Sequence, residues 1–258
     1  MPGTDPKNID MIKGIIFDYG GTIDTDALHW AEVIWKGYQQ AGVRIPKDIY
    51  RLAYVHGERS LAKFPLIKPE HNFLDLLRIK INIQTSFLVD AKMWTGMDKN
   101  EKRRLELSEQ IASFCYDYVL QNLKKSRGVV ESLSREYPLV LVSNFYGNIH
   151  TILSDFSLNY FKHVIESAVV GIRKPDSRIF KLGVDALQLK PEEVLVVGDA
   201  FDKDIIPAHS IGCKTIWMKG VGWNKDEQYD ESLPDGIIDT ILKLPDAVNS
   251  LLKEPTMS

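Results

Sequence analysis

The sequence has little cysteine, no long apolar run and no excess of one charge sign. Its 258 residues include two cysteines, Cys115 and Cys213, far apart in the chain. We therefore expect two buried thiols rather than a disulfide or a metal site. No apolar run approaches the ~18 residues that span a bilayer, and the segment MPGTDPKNIDMIK lacks the apolar core of a signal peptide. These absences predict a cytoplasmic protein without a membrane partner.

The charge balance makes nucleic acid an unexpected partner. There are 32 Lys and Arg residues against 35 Asp and Glu residues, giving a formal net charge of −3. The longest basic cluster, at 102–104, is typical of the solvated face of a helix. With 44% apolar residues the chain can bury a large core. We therefore expect a folded globular protein, either a monomer or a homodimer.

Short apolar runs rich in Val and Ile, each bounded by turn residues, predict buried parallel strands. The three strongest are GIIF, LVLVSN and EVLVVGD, at 14–17, 139–144 and 193–199. Weaker runs are HVIES, KTIWM and GIID, at 163–167, 214–218 and 236–239. Helical periodicity fills most of the gaps between them. This alternation predicts an α/β fold, a Rossmann-like doubly wound parallel sheet with helices on both faces.

The interval between the first and second strong strands is far longer than the others and carries helical patterns almost throughout. An insert of roughly 100 residues has the length of a small domain. We therefore predict an all-helical domain at 24–126, inserted into a core domain formed by 1–23 and 127–258.

Polar side chains follow several of the predicted strands, where an open parallel sheet binds its ligands. Each has an ordinary explanation, because Asp and Ser often cap helices and Lys is common on surfaces. Together they offer carboxylates for a hard cation, groups that bind anionic oxygens, and one carboxylate able to attack. These residues are Asp18, Ser143, Asn144, Lys174, Asp199, Asp202 and Asp204.

Four motifs in order give the chain a resemblance to the haloacid dehalogenase-like (HAD) hydrolase superfamily, in the group with a helical cap inserted after the first motif. GIIFDYGGT matches the first family motif, hhhhDxDGT, except at one position. LVLVSN matches the second motif, a strand that ends in Ser or Thr. GIRKPDSRIF matches the lysine motif, and GDAFDKD matches GDxxxxD. The resemblance covers nearly the whole chain and identifies the 24–126 insert as the cap.

The resemblance implies a Mg²⁺-dependent phosphatase that acts on a small phosphorylated metabolite through an aspartyl-phosphate intermediate. Phosphoryl transfer depends mainly on positioning and charge neutralisation, which suits these residue types. The implied catalytic residues are the nucleophile Asp18 and its partner Lys174. The implied metal ligands are Asp18, the backbone carbonyl of Gly20, Asp199 and Asp204. The implied phosphate-binding residues are Thr22, Ser143, Asn144 and Lys174.

The chain departs from the family pattern at Gly20. The family has a second Asp there, which protonates the leaving alcohol and then activates water. A positioned acid or base is typically worth ~10²–10⁴ in rate, so the loss is serious but leaves the metal site intact. Asp24, Asp26 or His29 could supply the proton instead, although both Asp residues could simply cap the following helix.

Two other functions therefore stay open beside the phosphatase. The first is a phosphonate or 2-haloacid hydrolase of the same fold, because both branches replace the second Asp. The dehalogenase branch has Tyr two places after the nucleophile, whereas Tyr19 is one place after it, and that branch lacks the acidic fourth motif. The phosphonate branch needs a cap lysine to form a Schiff base, and the candidates are Lys63, Lys68 and Lys80.

The second alternative is a non-catalytic binding or regulatory protein on a degenerate scaffold. Loss of the second Asp favours it, and retention of the other motif residues disfavours it. The cap also carries polar and aromatic side chains that could either line a specificity pocket or pack the cap itself. These are His29, Trp30, Trp35, His56, Arg59 and Trp94.

Overall fold

A computed structural model of the protein describes residues 12–95, 100–223 and 228–252. In these ranges it contains the strands β1 (Gly14–Phe17), β2 (Leu139–Ser143), β3 (His163–Glu166), β4 (Val194–Gly198), β5 (Lys214–Met218) and β6 (Gly236–Ile238). They form one parallel sheet in the order β3-β2-β1-β4-β5-β6. All six predicted strands are present, and the predicted fold class is confirmed.

Helices fill the intervals between the strands. The long interval between β1 and β2 holds α1 (Trp30–Gln40), α2 (Lys47–Lys63), α3 (Phe73–Asp90) and α4 (Glu101–Glu136). The later helices are α5 (Ile149–Asp155), α6 (Ser167–Val170), α7 (Arg178–Leu187), α8 (Ile206–Ser210) and α9 (Leu244–Leu252). The helix α4 runs straight through the predicted domain boundary at 126, so the division into cap and core stays a prediction.

Both faces of the sheet are buried, which explains why the strands are apolar at nearly every position. On one face, Ile16 and Val140 join a cluster with Phe180 of α7. On the other face, Ile15 and Phe17 belong to a larger cluster that continues into α1–α4. The cap helices therefore share one apolar core with the sheet.

The sheet order places the predicted site residues at a point where the strand order reverses. The chain moves from β1 outward to β2 and β3, and then returns to β4 on the other side of β1. The crevice beyond the carboxyl ends of β1 and β4 is the usual ligand position in such sheets. Asp18 and Asp199 directly follow these two strands.

The predictions about cysteine also hold. Cys115 on α4 and Cys213 before β5 are both buried and free. Among the described residues, no helix has the length and apolar character needed to cross a bilayer.

Replacement by alanine is expected to change stability in opposite directions at two helical glycines. A Cβ at Gly183 on α7 would lie 2.8 Å from Ile16 Cδ1 and 3.0 Å from Val142 Cγ2, whereas a Cβ at Gly128 on α4 would meet nothing within 4 Å. We expect Gly183→Ala to lower the free energy of unfolding by about 1–3 kcal/mol through overpacking. We expect Gly128→Ala to raise it by about 0.5–1 kcal/mol, because alanine loses less backbone entropy in a helix. Urea unfolding of both variants tests this pair, and equal shifts would contradict it.

Candidate active site

Three carboxylates meet at the carboxyl ends of β1 and β4. Asp18 follows β1, Asp199 follows β4, and Asp204 lies on a π-helical turn, Phe201–Ile205, that leads into α8. One oxygen of each carboxylate lies within 4.8 Å of the other two. Burial and the neighbouring negative charges raise the pKa of Asp199 well above its usual value and that of Asp204 to about 6. The geometry therefore brings together the three predicted acidic metal ligands.

Lys174 offsets part of this negative charge. Its Nζ donates to Asp18 Oδ1 and to Asp204 Oδ1, both at 2.6 Å. Burial opposes the charged form of this lysine, but the two carboxylates more than compensate and raise its pKa. Lys174 is therefore an ammonium group that links the predicted nucleophile to a predicted metal ligand.

The side chain of Asn144 fixes the backbone of Lys174. Asn144 Oδ1 accepts from the Lys174 N–H at 2.9 Å, and its Nδ2 donates to the Lys174 carbonyl at 3.1 Å. Asn144 also lines the cavity described below. Its amide positions the lysine, and its predicted contact with phosphate stays a prediction.

The donor set fits a hard divalent cation. The three carboxylates outnumber the single ammonium group of Lys174, and oxygen ligands are those that Mg²⁺ prefers. Gly20 lines the cavity beside them, and no described residue donates a hydrogen bond to its carbonyl oxygen. Asp18, Gly20, Asp199 and Asp204 could therefore hold Mg²⁺ as predicted.

The turn after β1 is closely packed against Asp199. Gly21 has a φ of +101°, and a Cβ there would overlap the Asp199 carboxylate, so glycine is required at this position. The Thr22 hydroxyl lies 3.2 Å from Asp18 Oδ2 and 3.4 Å from Asp199 Oδ1, and it can donate to either. Thr22 is fully buried and orients the two carboxylates. Its predicted contact with phosphate stays a prediction.

Trp30 lies beside Gly20, where the family carries a second carboxylate. A Cβ at Gly20 would lie 3.8 Å from Trp30 Nε1. That Nε1–H donates to Asp24 Oδ2 at 3.0 Å, while Asp24 Oδ1 accepts from the Gly21 N–H at 2.7 Å. Burial raises the pKa of Asp24 to about 7. Asp24 therefore connects the indole to the turn, and it is not among the residues that line the cavity.

The other two candidate proton donors lie in different surroundings. Asp26 accepts from the backbone N–H of Ile241 at 2.7 Å, which ties it to the C-terminal part of the core. His29 lines the cavity, and its Nδ1 accepts from the Ala31 N–H at 3.1 Å. The neutral ring then carries its proton on Nε2. Burial lowers the pKa of His29 to about 4, so the ring is a neutral hydrogen-bond donor at pH 7.

A cavity of about 250 Å³, here called the inner cavity, opens beside these carboxylates. Ser143 lines it, and no described residue forms a hydrogen bond with the Ser143 hydroxyl. This hydroxyl is therefore free to bind a ligand, and its predicted contact with phosphate stays a prediction. A second, outer cavity of about 790 Å³ adjoins the first and shares His29, Arg173 and Lys203 with it.

The six cap side chains considered from the sequence divide into two groups. His29 and Trp30 line the inner cavity, and Arg59 lines the outer one. The other three belong to neither cavity and pack the cap, where Trp35 contacts Tyr50, His56 stacks on Phe87, and Trp94 is buried.

Sequence reasoning missed five polar residues that line the inner cavity: Tyr54, Glu58, Tyr146, Arg173 and Lys203. A usable signal existed for two of them, because Arg173 and Lys203 directly precede the motif residues Lys174 and Asp204. Tyr54, Glu58 and Tyr146 belong to no motif, so no local pattern marks them.

Comparison with known proteins identifies the family of the chain. The family model of the haloacid dehalogenase-like hydrolases matches residues 12–212, and the chain belongs to that family. A glyceraldehyde 3-phosphate phosphatase of Pyrococcus furiosus is 34% identical over 96 residues, which cover 37% of this chain and 39% of that protein. The protein of the same name from Methanocaldococcus jannaschii is 39% identical over 95 residues, covering 37% and 41%. The chain thus matches about two fifths of the length of these relatives.

Solved structures show the same fold. The HAD-hydrolase YfnB from Bacillus subtilis, solved bound to magnesium, has a TM-score of 0.58 at 18% identity, covering 93% of this chain and 99% of its own. A dehalogenase solved with an intermediate complex has a TM-score of 0.59 at 16% identity, covering 95% and 100%. At this identity the likeness concerns the fold alone.

The acidic cluster predicts that Mg²⁺ stabilises the protein. An ion that binds only the folded state at about 100 times its Kd adds ~2.7 kcal/mol, or roughly 5–10 °C in Tm for a chain of this size. We expect this rise in the wild type and its loss in Asp199→Asn and Asp204→Asn. Asp202→Asn is the matched control, because Asp202 is exposed on the same turn and outside the cluster. Thermal unfolding with and without Mg²⁺ measures the effect, and an equal rise in all four proteins would contradict it.

Proposed function

We propose that the chain is a Mg²⁺-dependent phosphatase that hydrolyses a small phosphorylated metabolite through a phosphorylated Asp18. The observation that carries this proposal is the Lys174 ammonium, 2.6 Å from both Asp18 and Asp204 beside a cavity. A carboxylate held against an ammonium group can approach an anionic phosphoryl group with less repulsion. Family membership and the names of the archaeal phosphatase relatives support the same reaction.

The reaction follows from the positions of these groups. An Asp18 oxygen attacks phosphorus as the bond to the alcohol oxygen breaks, which gives an aspartyl phosphate and an alkoxide that takes a proton from solvent. Water then attacks phosphorus and gives up a proton to solvent, which breaks the bond to Asp18, restores the carboxylate and releases inorganic phosphate. Lys174 and the free Ser143 hydroxyl bind phosphoryl oxygens during both steps. Mg²⁺, when bound, would neutralise charge on the phosphoryl group and the three carboxylates.

No carboxylate stands at Gly20 to protonate the leaving alcohol. His29 supplies a neutral N–H at the cavity, which can donate a hydrogen bond to the departing oxygen but is a weaker acid than a carboxyl group. The site therefore lacks a strong acid to deliver a proton to the leaving oxygen. The missing acid is therefore expected to slow the hydrolysis of alkyl esters more than that of aryl esters.

The phosphonate alternative needs a neutral cap amine. Lys80 lines the inner cavity, whereas Lys63 and Lys68 are exposed and belong to neither cavity. Lys80 is paired with Glu58 at 2.8 Å, and although burial opposes its charge, this carboxylate raises its pKa. A lysine held as an ammonium group is a poor Schiff-base former. The phosphatase is therefore the better supported of the two reactions.

The dehalogenase alternative finds no support at Tyr19. This side chain is fully buried and packs edge-on against Phe73 and Phe145, outside the residues that line the cavities. The acidic cluster of Asp18, Asp199 and Asp204 also favours a metal-assisted reaction over one that needs none.

The central prediction concerns the nucleophile. We expect the wild type to release phosphate from an aryl phosphate in the presence of Mg²⁺, and Asp18→Asn to lose at least ~10³-fold in kcat, because an amide cannot replace the attacking carboxylate. Asp202→Asn is the control and should retain activity. Equal turnover by the wild type and a folded Asp18→Asn protein would contradict an aspartyl phosphate.

A second prediction concerns Gly20. A Cβ there would make only ordinary contact with Trp30, so a side chain fits. We expect Gly20→Asp to speed hydrolysis of alkyl phosphates more than that of aryl phosphates, by up to ~10²-fold, because alkyl leaving groups need the proton more. Gly20→Asn has the same size without the acid and should show no such preference. If Gly20→Asp and Gly20→Asn behave alike, another group already supplies the proton.

A further inference from the structure

Three polar side chains that no motif predicts meet on one wall of the inner cavity. They come from separate elements: Glu58 from α2, Lys80 from α3 and Tyr146 from the loop after β2. The Tyr146 hydroxyl donates to Glu58 Oε2 at 2.9 Å. Lys80 Nζ lies 2.8 Å from Glu58 Oε1, an ion pair without the geometry of a good hydrogen bond. We call these three residues the cap-wall triad.

Both charges of the cap-wall triad are present at neutral pH. Lys80 is only 6% exposed, and burial opposes its charge, but Glu58 raises its pKa above the usual value. Burial likewise opposes ionisation of Glu58, but Lys80 and Tyr146 lower its pKa. One positive and one negative charge therefore cancel within the triad.

The triad has hydrogen-bonding capacity left over. A lysine ammonium has three N–H donors, of which Glu58 and Tyr146 engage at most two. The Tyr146 hydroxyl donates to Glu58, and its oxygen has two lone pairs, of which Lys80 engages at most one. The cavity wall therefore still offers a donor and an acceptor side by side, next to the apolar side chains Leu76 and Leu77.

A donor and an acceptor side by side favour a hydroxyl group as the ligand. A hydroxyl both donates and accepts, so it can use Lys80 and Tyr146 together. A carboxylate or a second phosphate only accepts, so it could use Lys80 but could not donate to Tyr146. An unsubstituted alkyl chain would displace water from the triad without offering a hydrogen bond in its place, which is unfavourable for binding.

We propose that the cap-wall triad is the subsite that binds hydroxyl groups on the alcohol part of the substrate. Lys80 donates to a substrate hydroxyl, Tyr146 accepts from one, and Glu58 holds both side chains in place. This inference rests on the proposed phosphatase activity. It defines the substrate as a phosphate monoester of a hydroxylated carbon chain whose hydroxyl groups lie in the inner cavity with the phosphoryl group.

The test compares two esters that differ only in hydroxyl groups, glycerol 1-phosphate and propyl phosphate. The measured quantity is the ratio of their kcat/KM values, in which effects on the phosphoryl chemistry cancel. We expect a ratio well above ten in the wild type. Lys80→Met should lower it by about 10- to 100-fold, and Tyr146→Phe by about 3- to 10-fold, as expected for hydrogen bonds to charged and neutral groups.

Lys47→Met is the matched control. Lys47 also forms a cap ion pair, with Glu32 at 2.6 Å, but neither residue belongs to the two cavities. This variant should leave the ratio unchanged. Lys80→Met leaves Glu58 unpaired and could fail to fold for that reason. In that case the double variant Glu58→Gln/Lys80→Met, which has no unpaired charge, replaces it. Tyr146→Phe, which keeps the packing of the ring, provides a second test.

The outcomes separate this subsite from the phosphatase proposal. Turnover of an aryl phosphate that depends on Asp18 establishes the phosphatase on its own. With that activity present, a wild-type ratio near one, or a ratio that Lys80→Met and Tyr146→Phe leave unchanged, overturns the subsite alone. If the wild type hydrolyses no phosphate ester, both proposals fall together.

Discussion

The arrangement of the site depends on one buried cation between two buried carboxylates. Without Lys174, the negative charges of Asp18 and Asp204 would repel each other in a medium that screens them poorly, and breaking such a buried pair commonly costs about 3–5 kcal/mol. Lys174 lies in the loop between α6 and α7, where Asn144, directly after β2, holds its backbone at both N–H and carbonyl. The ends of β2, β1 and β4 must therefore lie side by side for Lys174 to contact both carboxylates. The parallel sheet supplies that arrangement.

Gly20 lies beside a hydrogen-bond network formed by Asp24. The Asp24 carboxylate accepts from the Trp30 indole N–H and from the Gly21 N–H, while a Cβ at Gly20 would make only ordinary contact with Trp30. A carboxylate at position 20 would place a second acid near the Trp30 N–H, in competition with Asp24. The departure from the family motif therefore removes a candidate proton donor, although the packing around position 20 has room for a side chain.

The sequence was sufficient where the determinants are local. Buried parallel strands are apolar at nearly every position, so all six were recognisable, and Asp18, Lys174, Asp199 and Asp204 stand in contiguous motifs at their ends. The periodicity of α4 does not change at position 126, because one helix passes from the cap into the core. Glu58, Lys80 and Tyr146 were not predictable as a group, since they meet only through the packing of α2 and α3 against the loop after β2.

That same packing determines where selectivity can reside. In the proposed reaction the phosphoryl group would contact residues of the core, whose positions follow from the sheet. The alcohol part would then lie against the other wall of the inner cavity, which is formed by α2, α3 and Tyr146. Because the loop that holds Tyr146 begins directly after Ser143 and Tyr146 donates to Glu58, that loop joins the proposed phosphoryl site to the cap. Residues that would recognise the alcohol are therefore the same ones that connect the cap to the strand end beside Asp18.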